Sequence, residues 1–182
     1  MTNKLFIILA DGFEEIEALA TVDVLRRLNF NIITAGLGGK LIKGSHSILV
    51  NTDIDFNEIE EQPKAVILPG GVPGAVNLRD NKNVVHLVKK TYQTGSLIAA
   101  ICAAPIVLNK AGVLDGKTIT SHPSVKESFD NSTTYTNNRV EQDGNIITAK
   151  GAGVVFEFAV KIAEYYDQKK GAENLMKTMF IK

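Results

Sequence analysis

Three short stretches of this chain are apolar without a break: residues 5–10 (LFIILA), Ala65–Leu68 (AVIL) and Leu97–Ile101 (LIAAI). Each runs straight into a turn, at Asp11-Gly12, Pro69-Gly70-Gly71 and Cys102-Ala103-Ala104. A strand with one wet face alternates apolar and polar residues, so an unbroken run means burial on both faces. Such strands belong to parallel sheets with helices above and below, which leaves few architectures open.

The intervening segments fit that frame. Residues 14–28 have helical spacing, with Ile16, Leu19, Ala20, Val24 and Leu28 on the face expected to meet the core. Residues 31–35 (NIITA) read as a second strand, and residues 41–50 as a small hairpin with Gly44-Ser45 in its turn. Residues 83–94 are helical by period and stop at Gly95. Pro105 suits the first turn of a helix after Cys102, where its missing N–H does no harm. Residues 117–120 read as a further short strand, and residues 139–143 and 145–148 as a hairpin about Gly144. Gly151 and Gly153 open a long helix, 154–166, and a last helical segment starts at Ala172. Alternating strands and helices predict an α/β fold, a doubly wound and mostly parallel sheet with helices on both faces.

A domain of 182 residues buries roughly 70% of the surface its unfolded chain exposes, so one domain over residues 1–182 needs no disulfide or metal. Twenty basic and twenty acidic side chains cancel, and no global field recruits nucleic acid or an anionic membrane. A single cysteine cannot form an internal disulfide, which points to a reducing compartment. The N-terminus has no signal-peptide pattern and no apolar run is long enough for a bilayer, so the expected location is cytoplasmic and no membrane partner is expected.

In sheets of this kind ligands bind beyond the carboxyl ends of the strands. Residues 11–17, Pro69-Gly70-Gly71, Cys102 and His122-Pro123 all fall there and can face one crevice. Cys102 could be a small buried hydrophobe. Its place at a strand-to-helix corner instead turns the thiol toward a helix N-terminus that favours thiolate, with Ala103 and Ala104 allowing a tight elbow. Glu14, Glu15 and Glu17 open the first helix. Glu15 fits ordinary first-turn acid, whereas Glu14 and Glu17 share a face, and with Ile16 turned inward one of them can project into the crevice. A carboxyl beside a thiolate stays protonated and can donate a hydrogen bond to sulfur. Gly70 and Gly71 could serve a loop conformation alone, or let backbone N–H groups reach a developing oxyanion. His122 is a satisfied loop residue or a base near the thiol; His46 and His86 read as surface residues. Gly151-Ala152-Gly153 is an anion nest or a tight start to a helix. No His, Cys, Asp and Glu spacing suits a metal, and 36–39 does not match a dinucleotide loop, so no cofactor is expected.

Residues 99–105 (AAICAAP), with 11–17 (DGFEEIE), 68–71 (LPGG) and 151–158, resemble the ThiJ/PfpI superfamily in its DJ-1 branch, in order and over nearly the whole chain. The resemblance implies a flavodoxin-like sandwich that forms a homodimer. It implies an oxidisable Cys102, a protonated Glu17 beside it, an oxyanion pocket formed with Gly71 and the Ala103 amide, a nearby His122, and a substrate-assisting Glu14. His46 stands where a relative has an arginine at a dimer-lined pocket, while Arg27 is retained. Ala103 replaces the histidine of the protease-like branch, and His122-Pro123-Ser124 is not the His-x-Glu of class I amidotransferases. The implied activity is a cofactor-free glyoxalase or deglycase acting on a small dicarbonyl, such as methylglyoxal, or on glycated protein or nucleotide. The alternative it implies is a redox-sensing or chaperone protein whose Cys102 is oxidised to sulfinate.

Overall fold

The computed structural model describes residues 3–181. In chain order the elements are β1 (Lys4–Leu9), α1 (Glu15–Arg27), β2 (Asn31–Gly36), β3 (Leu41–Lys43), β4 (Leu49–Asn51), β5 (Ile54–Asp55), β6 (Ala65–Leu68), α2 (Gly74–Asp80), α3 (Lys82–Gln93), β7 (Leu97–Ile101), α4 (Pro105–Lys110), β8 (Thr118–Ile119), β9 (Thr134–Tyr135), β10 (Val140–Asp143), β11 (Ile146–Ala149), α5 (Val155–Tyr165) and α6 (Lys169–Thr178). The central sheet runs β10-β11-β7-β6-β1-β2-β5. Every pairing in it is parallel except β10 with β11. This is the expected doubly wound sheet with helices on both faces.

The unbroken apolar runs have a direct physical cause. On β1, Phe6 and Ile8 pack into one core with Val66, Leu68, Ile98 and Ala100, while Leu5, Ile7 and Leu9 pack into the other with Ile67, Leu97, Ala99 and Ile101. Successive side chains on a strand point to opposite faces, and here both faces are apolar. The first core is closed by Leu78, Val84, Val88 and Val107 from α2, α3 and α4; the second by Ala18, Leu25, Phe158 and Ile162 from α1 and α5.

Three expectations need correction. The expected core face of α1 is rotated: Ile16 and Leu19 are exposed at 56% and 38%, whereas Glu15, Glu17, Ala18, Thr21, Val22, Val24 and Leu25 are buried. The small residues Ala18 and Thr21 let α1 lie close, and two acids point inward because the protein supplies each with donors. Residues 117–120 do not extend the main sheet, since β8 pairs with β9 in a separate two-stranded ladder while the hairpin β10–β11 takes the edge. Finally, α2 lies where no helix was expected, having no side-chain cap at its start. No helix among the described residues is long and apolar enough to cross a membrane.

Candidate active site

Cys102 is the first residue after β7, half-buried, with φ at +63°. A non-glycine residue in the left-handed region costs on the order of 1–3 kcal/mol and persists only where its surroundings hold it. The Cys102 amide donates to the Ala149 carbonyl and its own carbonyl accepts from the His122 amide, both at 2.8 Å. Ala103 and Ala104 are buried, and the Ala104 amide closes the turn onto the Ile101 carbonyl at 3.0 Å. Pro105 then opens α4. The strand, the tight turn and the proline-led helix together form the sharp elbow expected from the sequence.

Glu17 reaches the sulfur from the first turn of α1 and is 1% exposed. Its Oε2 accepts from the Gly70 amide at 2.8 Å. The Cys102 thiol is the side chain to which the carboxyl is hydrogen-bonded, and the Ala152 amide also acts on it. The amides of Ala103 and Gly71 donate to the sulfur. An ideal Cβ on Gly70 would stand 2.6 Å from Cys102 Cβ and 2.7 Å from Glu17 Oε2, so no side chain fits there. At Gly71, with φ at +93°, a Cβ would meet the Gly12 carbonyl oxygen at 2.4 Å and the Glu14 amide at 2.5 Å. The two glycines therefore let β6 deliver its loop against both α1 and the elbow.

Burial raises Glu17 to about 7. Burial also pushes the Cys102 thiol up, to about 12 with an ionised Glu17 beside it, against the pull of the Ala103 and Gly71 amides. The simple expectation of a thiolate set free by a helix N-terminus is thus corrected: desolvation and the neighbouring acid outweigh the amides. Near neutrality the two groups carry at most one negative charge between them. A thiolate at Cys102 requires the proton to reside on Glu17, whose O–H then donates toward sulfur.

The other expected residues are placed unequally. Glu14 caps α1, its Oε2 accepting from the Glu17 amide at 2.7 Å, and it stands close enough to add to the upward shift of Glu17. His122 adjoins the elbow by its backbone, but its ring is exposed and Nδ1 pairs with the Ser124 hydroxyl at 2.8 Å. Arg27 is not brought to the pocket by its own chain. It ends α1, ten residues and so about 15 Å along the helix from Glu17, in an exposed pair with Asp23 at 2.8 Å.

Two residues do more than their sequence reading assigned. Gly151 forms a further wall: an ideal Cβ on it would lie 3.8 Å from Cys102 Sγ, 3.8 Å from Glu17 Oε1 and 3.9 Å from the His122 ring. Its position after a strand at the same end of the sheet was the available signal. Glu15 is 5% exposed and binds the hairpin β3–β4, accepting from the His46 amide at 2.7 Å and from the Ser45 hydroxyl at 3.1 Å, and pairing with the His46 ring at 2.8 Å. Burial alone would raise this carboxyl, but the hydrogen bonds from His46 and Ser45 hold it down at about 2 and raise His46 in turn. Glu14, Glu15 and His46 bring ligand-type atoms within 4.8 Å of one another. No sequence spacing reveals that group, because the hairpin supplies the histidine.

A cleft of about 690 Å³ lies away from the cysteine between β10, α5 and α6. A smaller one of about 370 Å³ is lined by His122, Lys150 and Gly151 and adjoins the elbow. The chemistry, not the size, identifies the site.

Comparison with known proteins bears on what this site does. The profile of the DJ-1/PfpI family matches residues 3–165. Protein dj-1beta of Drosophila melanogaster is 38% identical, over 100% of this chain and 98% of its own length. Its crystal structure superposes with a TM-score of 0.95, at 37% identity and with both chains covered in full. The glutathione-independent glyoxalase DJR-1.2 of Caenorhabditis elegans is 30% identical, over 97% of this chain and 95% of its own. A deglycase of Pyrococcus abyssi is 31% identical, over 84% and 93%.

Proposed function

The chain belongs to the DJ-1/PfpI family, and from that premise we propose that it is a cofactor-free, cysteine-dependent glyoxalase or deglycase acting on methylglyoxal or on early glycation adducts of proteins and nucleotides. Glyoxalase and deglycase activities occur in this family. The observation that carries the reading is the buried Glu17 carboxyl, fixed by the Gly70 amide and facing the one thiol of the chain.

The proposed sequence balances without an external oxidant. With the proton on Glu17, the Cys102 thiolate attacks the aldehyde carbon, a C–S bond forms and the carbonyl electron pair moves to oxygen. The amides of Gly71 and Ala103 hold that oxyanion, which Glu17 protonates to give a hemithioacetal. Glu17, now a carboxylate, removes the proton from the former aldehyde carbon, and an enediolate forms. Return of that proton to the neighbouring carbon, with the hydroxyl proton passing from the first oxygen to the second, gives a thioester, and water releases lactate and the free thiol. The aldehyde carbon is oxidised and the ketone carbon reduced, so methylglyoxal and water become lactate. Glu14 and His122 are the candidates for assisting the proton transfers.

We also propose that two copies associate, in the cytoplasm, through the apolar residues that α1 and its hairpin leave exposed: Ile16 and Leu19 with Leu41, Ile48 and Leu49. Any part Arg27 plays in anion binding belongs to that assembly. The test of the activity is lactate formation from methylglyoxal without glutathione, metal or nucleotide, abolished in Cys102→Ser. Loss on exhaustive chelation with recovery on adding metal would overturn the cofactor-free reading.

A further inference from the structure

We propose that Lys150 is a specificity residue, its ammonium recognising a carboxylate carried by an oxoaldehyde substrate held at Cys102. The substrate class rests on the glyoxalase reading; the anion subsite itself rests on geometry. Gly151, whose Cα faces Cys102 Sγ and Glu17 Oε1, is the next residue to Lys150. From that wall the cleft of about 370 Å³ opens outward, with Arg139 and Lys150 as its two cations.

The two cations differ in what they have left to give. The charge of Arg139 is already paired: its guanidinium meets the Glu157 carboxylate at 2.6 and 2.9 Å and the Gly153 carbonyl at 3.2 Å. Lys150 Nζ is held by the neutral Asn137 amide oxygen and makes no ion pair among the described residues. An amide oxygen aims an ammonium without neutralising it, and two of its three N–H groups remain for a ligand. A carboxylate there gains charge-assisted hydrogen bonds, whereas neutral methylglyoxal gains nothing. A second cleft, lined by Phe156, Val160 and Met176 among others, shares Arg139, Gly153 and Val154 with the one at Lys150. The cleft that Lys150 lines, about 370 Å³, has the volume for a substrate with an aromatic body between aldehyde and carboxylate.

The experiment compares methylglyoxal, phenylglyoxal and 4-carboxyphenylglyoxal with the parent enzyme, Lys150→Met and Lys150→Arg. In Lys150→Met, KM for the carboxylate substrate should rise about three- to tenfold at unchanged kcat, with both neutral substrates within about twofold of the parent. Lys150→Arg should restore it, and added salt should weaken the carboxylate substrate alone. A second arm needs no turnover: the ratio of Cys102 alkylation rates by 4-(bromomethyl)benzoate and by the neutral 4-(bromomethyl)benzamide should fall by the same factor in Lys150→Met. Equal effects on charged and neutral probes, or no effect on the charged ones, overturn the subsite. Lack of methylglyoxal turnover with a charge-selective alkylation ratio would overturn only the glyoxalase reading.

Discussion

The Gly70 amide donates to Glu17 Oε2 at 2.8 Å, fixing one carboxyl oxygen on the loop after β6 and leaving the other to the sulfur of Cys102. Burial raises this carboxyl from 4.5 to about 7, so between those values the folded chain holds a proton that the unfolded chain has released. Stability from this group is therefore lost as pH rises through that window. Glu17→Gln keeps an acceptor for Gly70 and removes the ionisation. The variant should be more stable than the parent at pH 8, by on the order of 3 kcal/mol, with the gap closing toward pH 4.5. Thermal unfolding across that range checks it, and identical pH profiles would contradict a protonated Glu17.

Gly70→Ala would press a methyl against Cys102 Cβ at 2.6 Å and Glu17 Oε2 at 2.7 Å, where neither neighbour is a flexible side-chain end free to swing away. Overpacking of that kind costs about 1–3 kcal/mol. Urea unfolding should show that loss, and alkylation of Cys102 should change rate because the pair is displaced. Gly153→Ala, with nothing within 4 Å of the added atom, should do neither. Similar behaviour of the two variants would contradict the packing described.

His46 should titrate above its ordinary 6.5, because the Glu15 carboxylate stabilises its charged form. Glu15, held at about 2, contributes stability above 4.5 that is lost as pH falls. His46 contributes stability below 6.5 that is lost as pH rises through its raised value. The hairpin β3–β4 should thus be most firmly docked between about pH 4.5 and 6.5. An NMR titration of His46 in the parent and in Glu15→Gln reads this directly, and a His46 midpoint unmoved by the substitution would refute it.

Peroxide should convert Cys102 to the sulfinate, two oxygens added and two peroxides reduced to water, because the amides of Gly71 and Ala103 already point at the sulfur. Intact mass after mild treatment measures it. Alkylation or oxidation of Cys102 only after denaturation would mean an inert core residue.

The parts of this molecule that were legible in its sequence are those governed by local rules. β1, β6 and β7 announced themselves because burial on both faces leaves no polar residue in the run, and Cys102 stood out because the turn after it needs small residues and a proline-led helix. What stayed hidden depends on partners distant in sequence. Ile16 and Leu19 look like core residues until the hairpin supplies Ser45 and His46 to Glu15, and Gly70 supplies its amide to Glu17. Those donors let two acids point inward and turn the apolar pair outward. Likewise β8 has the composition of a sheet strand, but the hairpin about Gly144 occupies the edge beside β11.

The proposed chemistry turns on whether Glu17 acts through its proton. The most direct measurement is methylglyoxal turnover by Glu17→Gln beside Cys102→Ser, each shown to be folded by circular dichroism. Glutamine keeps the shape and a hydrogen-bond donor but cannot release a proton, so turnover should fall by about a hundredfold or more while peroxide still oxidises Cys102. Turnover by Glu17→Gln at the parent rate, with Cys102→Ser inactive, would contradict a proton-transferring Glu17 and move that role to another group, His122 first.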